Sequence, residues 1–442
     1  MFAAATLLTS VAAYSQTYQP TKENLEARKE FTRERFGIFL HWGIYASYAQ
    51  GEWYLNGGLL DSEYRKAAAS FNPVNYDAKA WAKAFKDAGA EYVTITSRHH
   101  DGFSMFDTKA SDYNIVKATP YGKDVLKDLS DACRAEGMDM QFYYSILDWA
   151  REDYPVGRTG TKTGRKGDSQ DYDSYFNFMK TQVSELLTNY GPVRALWFDG
   201  YWDHDSDATP FDWRMPEFYR YIHSVSPACL VGNNHHIKTI EGEDFQMFEK
   251  DLPGQNTTGF APDQEVSAVL PLEMCETMNN HWGYSVSDYN YKSVPQLVRT
   301  LARCVSLNTN LLLNIGPQAD GSLPEASLDR LKGIGEWMRL NERSIKGCGP
   351  GPVAEADWGL STAPTDCGKT FFLHVFNPET KSLSIPVEGK VRIKGVTALA
   401  DGSALQYTFK KGILDIGLPE LPAPSCDLDP NGADYVIEVI LK

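Results

Sequence analysis

The sequence predicts an α/β fold, a (β/α)8-like barrel followed by a C-terminal β-sandwich domain, and three observations carry that expectation. Apolar β-type runs alternate with amphipathic helical patterns through the first 345 residues, as a parallel sheet with crossover helices requires. Seven of those runs end in polar or aromatic side chains: His41, His99 with His100, Tyr143 with Tyr144, Asp199, Asn233 with Asn234, Glu273 and Asn314. In a barrel the carboxyl ends of the strands meet on one face, where active sites form. From about residue 350 the helical patterns stop and short strands separated by turn residues take over.

The first strand is expected in "RFGIFLHWG" (35–43). A helix follows near Asp77, where "DAKAWAKAFKDAG" has an Asp cap, apolar residues at helical spacing and a Gly stop. Next come the strand "AEYVTITSRHH" (90–100), the helix "KDVLKDLSDACRAEG" and the strand "MDMQFYYS" (138–145). The helix around "YFNFMKTQVSELLTNYG" leads into "VRALWFDG", an apolar run that delivers Asp199 among aromatic rings. "ACLVGNNHH" (228–236), "PLEMCET" (271–277) and "TNLLLNIGP" (309–317) complete the set of seven, and residues 16–346 form the expected barrel domain. "GCGPGPV" (347–353) reads as a linker into the sandwich domain, 347–442, with strands in "KTFFLHVFN", "SLSIPVEG", "VRIKGVTAL" and "ADYVIEVILK".

Residues 1–15 read as the end of a secretory signal, a short apolar stretch followed by small residues around Ala13 and Ser15, without the usual basic region. The expected destination is periplasmic or extracellular. No apolar run reaches the roughly 18 residues of a membrane span. A net charge of −15 repels polyphosphate, which disfavours nucleic acid and anionic membranes as partners and suits a neutral substrate. Seven scattered cysteines without a CxxC pair read as mostly buried small hydrophobes. The sequence assigns no oligomeric state.

Two motifs invite a metal, and neither completes a site. On a strand the adjacent histidines of "SRHHDGF" would point to opposite faces, and no HExxH or Asp/His set accompanies them. "DHDSDAT" (203–209) opens like a calcium loop but carries Ala208 where the loop needs Gly and Arg214 where it needs Glu. No metal or cofactor is expected. Two carboxyl groups among aromatics and histidines remain, and these suit a sugar: rings stack on its apolar faces, while His, Asn and Tyr bond its hydroxyls. One carboxyl can attack the anomeric carbon while a protonated one assists the leaving oxygen.

The ordered set "FGIFLHWGIYA", "GEWY", "SRHHDGFSMFDT", "YYSILDW", "LWFDG", "EMCETMNNHWGY" and "LLLNIGP" resembles the retaining α-L-fucosidases of glycoside hydrolase family 29, across nearly the whole chain. The resemblance implies a barrel with a C-terminal β-sandwich, no cofactor and a fucosylated oligosaccharide or glycoconjugate as substrate. By motif it implies Asp199 as nucleophile, although a strand-end Asp can also cap the next helix. It implies His41, His99 and His100 as fucose-hydroxyl ligands, the alternative being core histidines, and Glu52 with Trp53 as a loop touching the sugar. Tyr143 matches a fucose-contacting tyrosine, Tyr144 taking its place if the register shifts by one. Trp197 and Trp282 match an apolar wall, or could be plain core. Where many members read "NDRWG" this chain has "GNNHH", which puts His235 at the place of an Arg. "EDFQMFEKDLPG" (243–254) places the acid/base at Glu249, in an irregular segment between strands, with Glu273 as the rival.

Overall fold

In the computed structural model residues 18–262, 264–389 and 391–442 are described, and the N-terminal stretch read as a signal lies outside them. Eight parallel strands form one sheet: β1 Phe36–Leu40, β2 Tyr92–Arg98, β3 Asp139–Ser145, β4 Ala195–Asp199, β5 Leu230–Asn234, β6 Gln246–Glu249, β7 Leu272–Thr277 and β8 Thr309–Ile315. Their order is β5-β4-β3-β2-β1-β8-β7-β6. The sheet curls until its two edges meet. Between β5 and β6 there is no continuous ladder, and Asp244 N–H donates to Val231 C=O across the seam at 2.7 Å.

Alternation of side chains along each strand sorts the apolar residues into two sets. Phe39, Tyr92, Tyr143, Trp197, Phe245, Met247 and Leu312 point inward and fill the barrel. Ile38, Val93, Ile95, Phe142, Leu196 and Phe198 point outward and are buried under the helices. The strands are therefore apolar on both faces, which is why they read as continuous apolar runs. The helices begin where the sequence provides caps. Asp77 caps Ala78–Asp87, Asp124 caps Val125–Ala135, and Ser293 with Gln296 forms a capping box for Val294–Ser306.

Two elements differ from expectation. β6 lies inside the segment read as irregular, so Glu249 ends a strand rather than riding a loop. Four residues are too few to display a period, and "QMFE" holds no β-branched residue. The expected linker contains a strand, β9 Cys348–Pro350, which pairs antiparallel with β10 Gly359–Pro364.

The remaining strands are β11 Thr370–Val375, β12 Ser382–Pro386, β13 Ile393–Ala398, β14 Tyr407–Lys410, β15 Ile413–Gly417 and β16 Tyr435–Leu441. They make a five-stranded sheet, β13-β16-β11-β10-β9, and a three-stranded sheet, β12-β15-β14. Phe371, Leu373, Leu383, Ile385, Leu414, Ile416, Ile437 and Val439 form the core between them. Polar bonds tie sandwich to barrel. Buried Arg35 donates Nε–H to Cys348 C=O at 2.5 Å, Arg299 donates to Ala433 C=O at 2.7 Å, and Trp337 donates to Asp434 C=O at 3.2 Å. Five cysteines are buried, while Cys367 and Cys426 are exposed.

Candidate active site

The carboxyl ends of the strands surround a cavity of about 510 Å³. It is lined by His41, Glu52, Trp53, His99, His100, Tyr143, Trp197, Asp199, His235, Glu249 and Trp282 among others, so side chains from one end of the barrel sequence to the other reach one place. Glu273 is not among them.

Asp199 is the last residue of β4. Its Oδ2 accepts from Tyr143 O–H at 3.0 Å, and its Oδ1 accepts from Trp202 Nε1–H at 3.1 Å and from the Gly200 N–H at 2.8 Å. Burial, then the neighbouring charge of Glu249, pushes its carboxyl up to about 6, while the Tyr143 and Trp202 bonds pull the other way. The φ of Gly200, +103°, turns the chain sharply after the carboxylate, and a Cβ there would meet Leu147 Cδ2 at 2.9 Å. Across β5, whose Asn234 pairs with Asp199 in register, stands Glu249. Asn234 Nδ2–H donates to Glu249 Oε2 at 2.8 Å, and His236 Nε2 approaches the same oxygen at 3.4 Å. Burial alone would raise Glu249, but the His236 and Asn234 contacts outweigh it and hold the carboxyl below the usual glutamate range.

The histidines present acceptors. Asn314 Nδ2–H donates to Trp282 C=O at 2.7 Å, which leaves Asn314 Oδ1 to accept from His41 Nδ1–H at 2.7 Å. His41 Nε2 is therefore free of hydrogen, and burial pushes this imidazole down to about 3. Ser145 Oγ–H donates to Leu147 C=O, so Ser145 accepts from His100 Nδ1–H at 2.7 Å, and His100 Nε2 faces Asp199 Oδ2 at 3.6 Å as a second acceptor. His99 stacks on Tyr143 at 5.3 Å, and its buried Nδ1 has no protein partner. Burial holds His99 and His100 well below the ordinary histidine range, so all three rings are neutral and able to accept from sugar hydroxyls.

His99 and His100 come just after β2 ends at Arg98. The opposite-face rule for strands no longer holds there, and both rings enter the cavity, 4.2 Å apart. Glu52 is buried with Oε2 accepting from Gly283 N–H at 2.7 Å, and burial raises its carboxyl. Trp53 is half-exposed and lies parallel to Trp202 at 5.7 Å. Trp197 stacks against Tyr143, and Trp282 leans on His41. Tyr144 points outward and donates to Gln182 Oε1 at 2.8 Å, away from the cavity. His235 lines the cavity, yet both its ring nitrogens are engaged. Ile237 N–H donates to Nδ1 at 3.1 Å, so Nε2–H donates to Glu243 at 2.8 Å. Asn234, named above only as the polar end of a strand run, also lines the cavity, as do Arg158, Trp202, His236 and Phe260, which were not singled out in the sequence.

Glu273, the rival acid/base, is the second residue of β7, at the end of the barrel remote from the cavity. Its Oε1 accepts from Trp197 Nε1–H at 2.8 Å and its Oε2 from Tyr92 O–H at 2.7 Å. Burial pushes its carboxyl up to about 7. It braces Trp197 from behind, and no substrate in the cavity could reach it.

His99→Ala is expected to raise KM and lower kcat together, by about tenfold in kcat/KM, because a hydroxyl contact that tightens in the transition state is lost. A ring that only packs would instead lower the melting temperature and leave the kinetics of folded protein unchanged.

Known proteins resemble this chain along most of its length. The family model described as alpha-L-fucosidase matches residues 5–343. The alpha-L-fucosidase of Dictyostelium discoideum is 28% identical over 381 residues, covering 78% of this chain and 78% of its own length. The structure of alpha-L-fucosidase isoenzyme 1 from Paenibacillus thiaminolyticus superposes with a TM-score of 0.83 at 36% identity, covering 95% of this chain and 100% of its own. That of the Thermotoga maritima alpha-fucosidase in complex with a mechanism-based inhibitor superposes with a TM-score of 0.74 at 26% identity, covering 96% of this chain and 100% of its own. The chain belongs to the alpha-L-fucosidases, the glycoside hydrolases of family 29.

Proposed function

We propose that this enzyme releases terminal α-L-fucose from glycans with retention of configuration, by double displacement, and that it acts outside the cytoplasm. The observation that carries the mechanism is the pair of carboxyls in one cavity. Asp199 is fixed by two aromatic donors at a strand end, and Glu249 stands beyond β5, held by Asn234. In the first step Asp199 bonds to the anomeric carbon as the glycosidic bond breaks, and Glu249 gives its proton to the departing oxygen. In the second, Glu249 takes a proton from water, the water oxygen attacks the same carbon, and Asp199 leaves. Neutral His41, His99 and His100 accept from the fucose hydroxyls, while Trp197 and Trp282 offer it an apolar wall. The inhibitor borne by the Thermotoga maritima relative is in keeping with a covalent route. The apolar N-terminal stretch supports export.

An aryl α-L-fucoside should be hydrolysed in the presence of EDTA, and proton NMR of the first-formed sugar should show α-L-fucose before mutarotation. β-Fucose as first product would exclude retention. Turnover abolished by chelator would mean that a metal takes part. Mass spectrometry of the mature N-terminus from the exported fraction tests the location.

A further inference from the structure

His236 stands two residues beyond β5 with a backbone φ of +60°, a left-handed conformation that ordinary side chains avoid. Such residues persist where surrounding structure enforces them, and they cluster at functional sites. The turn carries the imidazole over the cavity, where Nε2 lies 3.4 Å from Glu249 Oε2 and the ring packs 5.7 Å from that of Phe260. His235, next door, is fully engaged with Glu243 and Ile237 and could not serve. Three carboxylates face His236: Glu249 from β6, Asp199 from β4 and Asp205 from the turn after it. Two cations act on these carboxylates: Arg158, which lines the cavity and faces Asp205, and Lys250, which faces Glu249 and whose left-handed backbone, φ +57°, sets its ammonium 5.1 Å over the Trp282 ring.

We propose that His236 is a positioning residue that shares one proton with Glu249, so that the pair, rather than the glutamate alone, holds the proton delivered to the leaving group. The inference rests on the reading of Glu249 as acid/base. With one proton the pair exists as carboxylate beside imidazolium or as carboxylic acid beside neutral imidazole, and the two forms have the same composition. As the glycosidic C–O bond breaks, that proton passes from Glu249 to the departing oxygen, which leaves carboxylate and neutral imidazole. Attack by water returns one proton to Glu249 and restores the pair. The alkaline limb of kcat/KM then belongs to the pair and lies above that of an isolated carboxyl.

The test compares a substrate that needs protonation, methyl α-L-fucoside, with one that does not, 4-nitrophenyl α-L-fucoside. His236→Asn is the first variant, because Asn tolerates the left-handed backbone, and His236→Gln serves if that protein does not fold. With the methyl glycoside kcat/KM should fall about tenfold at pH 7, a fraction of what a general acid contributes. Its alkaline limb should move acidward by about one pH unit. The 4-nitrophenyl fucoside should lose less than about threefold. In a Glu249→Gln background the His236 change should add nothing, since the partner is gone. Equal losses on both substrates, or an unmoved alkaline limb, would overturn the proposal. Absence of fucosidase turnover in the unaltered enzyme would instead sink the parent reading. Lack of leaving-group selectivity in Glu249→Gln alone would sink the acid/base assignment.

Discussion

Asp199→Ala is expected to lower kcat on 4-nitrophenyl α-L-fucoside by about three powers of ten or more, since the covalent route disappears with the nucleophile. The fold should survive. The replaced carboxylate sits at the cavity wall, where water can take up the Tyr143 and Trp202 donors that it leaves behind. Azide entering the vacated space should attack the bound fucoside directly and give the β-fucosyl azide. A variant that kept more than about a tenth of the original kcat would exclude Asp199 as nucleophile. In the unaltered enzyme the nucleophile must be ionised, and burial sets its carboxyl at about 6. Activity should therefore fall as pH drops through about 6, higher than the value near 4 of an ordinary aspartate.

The second large effect separates Glu249 from Glu273. Glu249→Ala should cost about a hundredfold or more on a substrate with a poor leaving group and far less on an activated aryl fucoside, because only the first needs its oxygen protonated. Azide should restore turnover and yield the α-fucosyl azide, formed from the β-linked intermediate, which is opposite in configuration to the product of Asp199→Ala. Glu273→Ala should show neither behaviour. It should lower the melting temperature, since Trp197 Nε1–H and Tyr92 O–H both lose their acceptor inside the barrel. Azide rescue of Glu273→Ala in place of Glu249→Ala would reverse the assignment.

The parts legible in the sequence were those written in long repeating patterns. Strands buried on both faces read as apolar runs, and Asp77 and Asp124 announce their helices. β6 was hidden because four residues carry no measurable period, although the segment around it pointed to Glu249. Position along a strand decided the fate of Glu273. Following Leu272 at the start of β7, it is aimed into the barrel far from the cavity, a difference that composition does not record. His99 and His100 escape the alternation rule because β2 ends at Arg98, a boundary that the apolar run does not mark. Trp202 lies in the very stretch that delivers Asp199, but its bond to the carboxylate depends on the turn at Gly200. His236 owes its role to a left-handed backbone, for which a histidine in sequence gives no signal.

The bonds that cross from barrel to sandwich bear on how such an enzyme can be rearranged in evolution. Arg35, just ahead of β1, gives its Nε–H to the Cys348 carbonyl, and the same guanidinium reaches Asn308, just ahead of β8, and Asn310 within it. Arg299 and Trp337, on helices of the barrel, are satisfied by the backbone at Ala433 and Asp434. Loss of the sandwich would take these backbone acceptors from Arg35 Nε–H, Arg299 and Trp337 Nε1–H, at roughly 1 kcal/mol for each bond against a total stability of about 5–15 kcal/mol. Exchange of one sandwich for another is thus open only to partners that present carbonyls at these same points. The carbonyls of Cys348, Ala433 and Asp434 make the stability of the barrel depend on the presence of the sandwich.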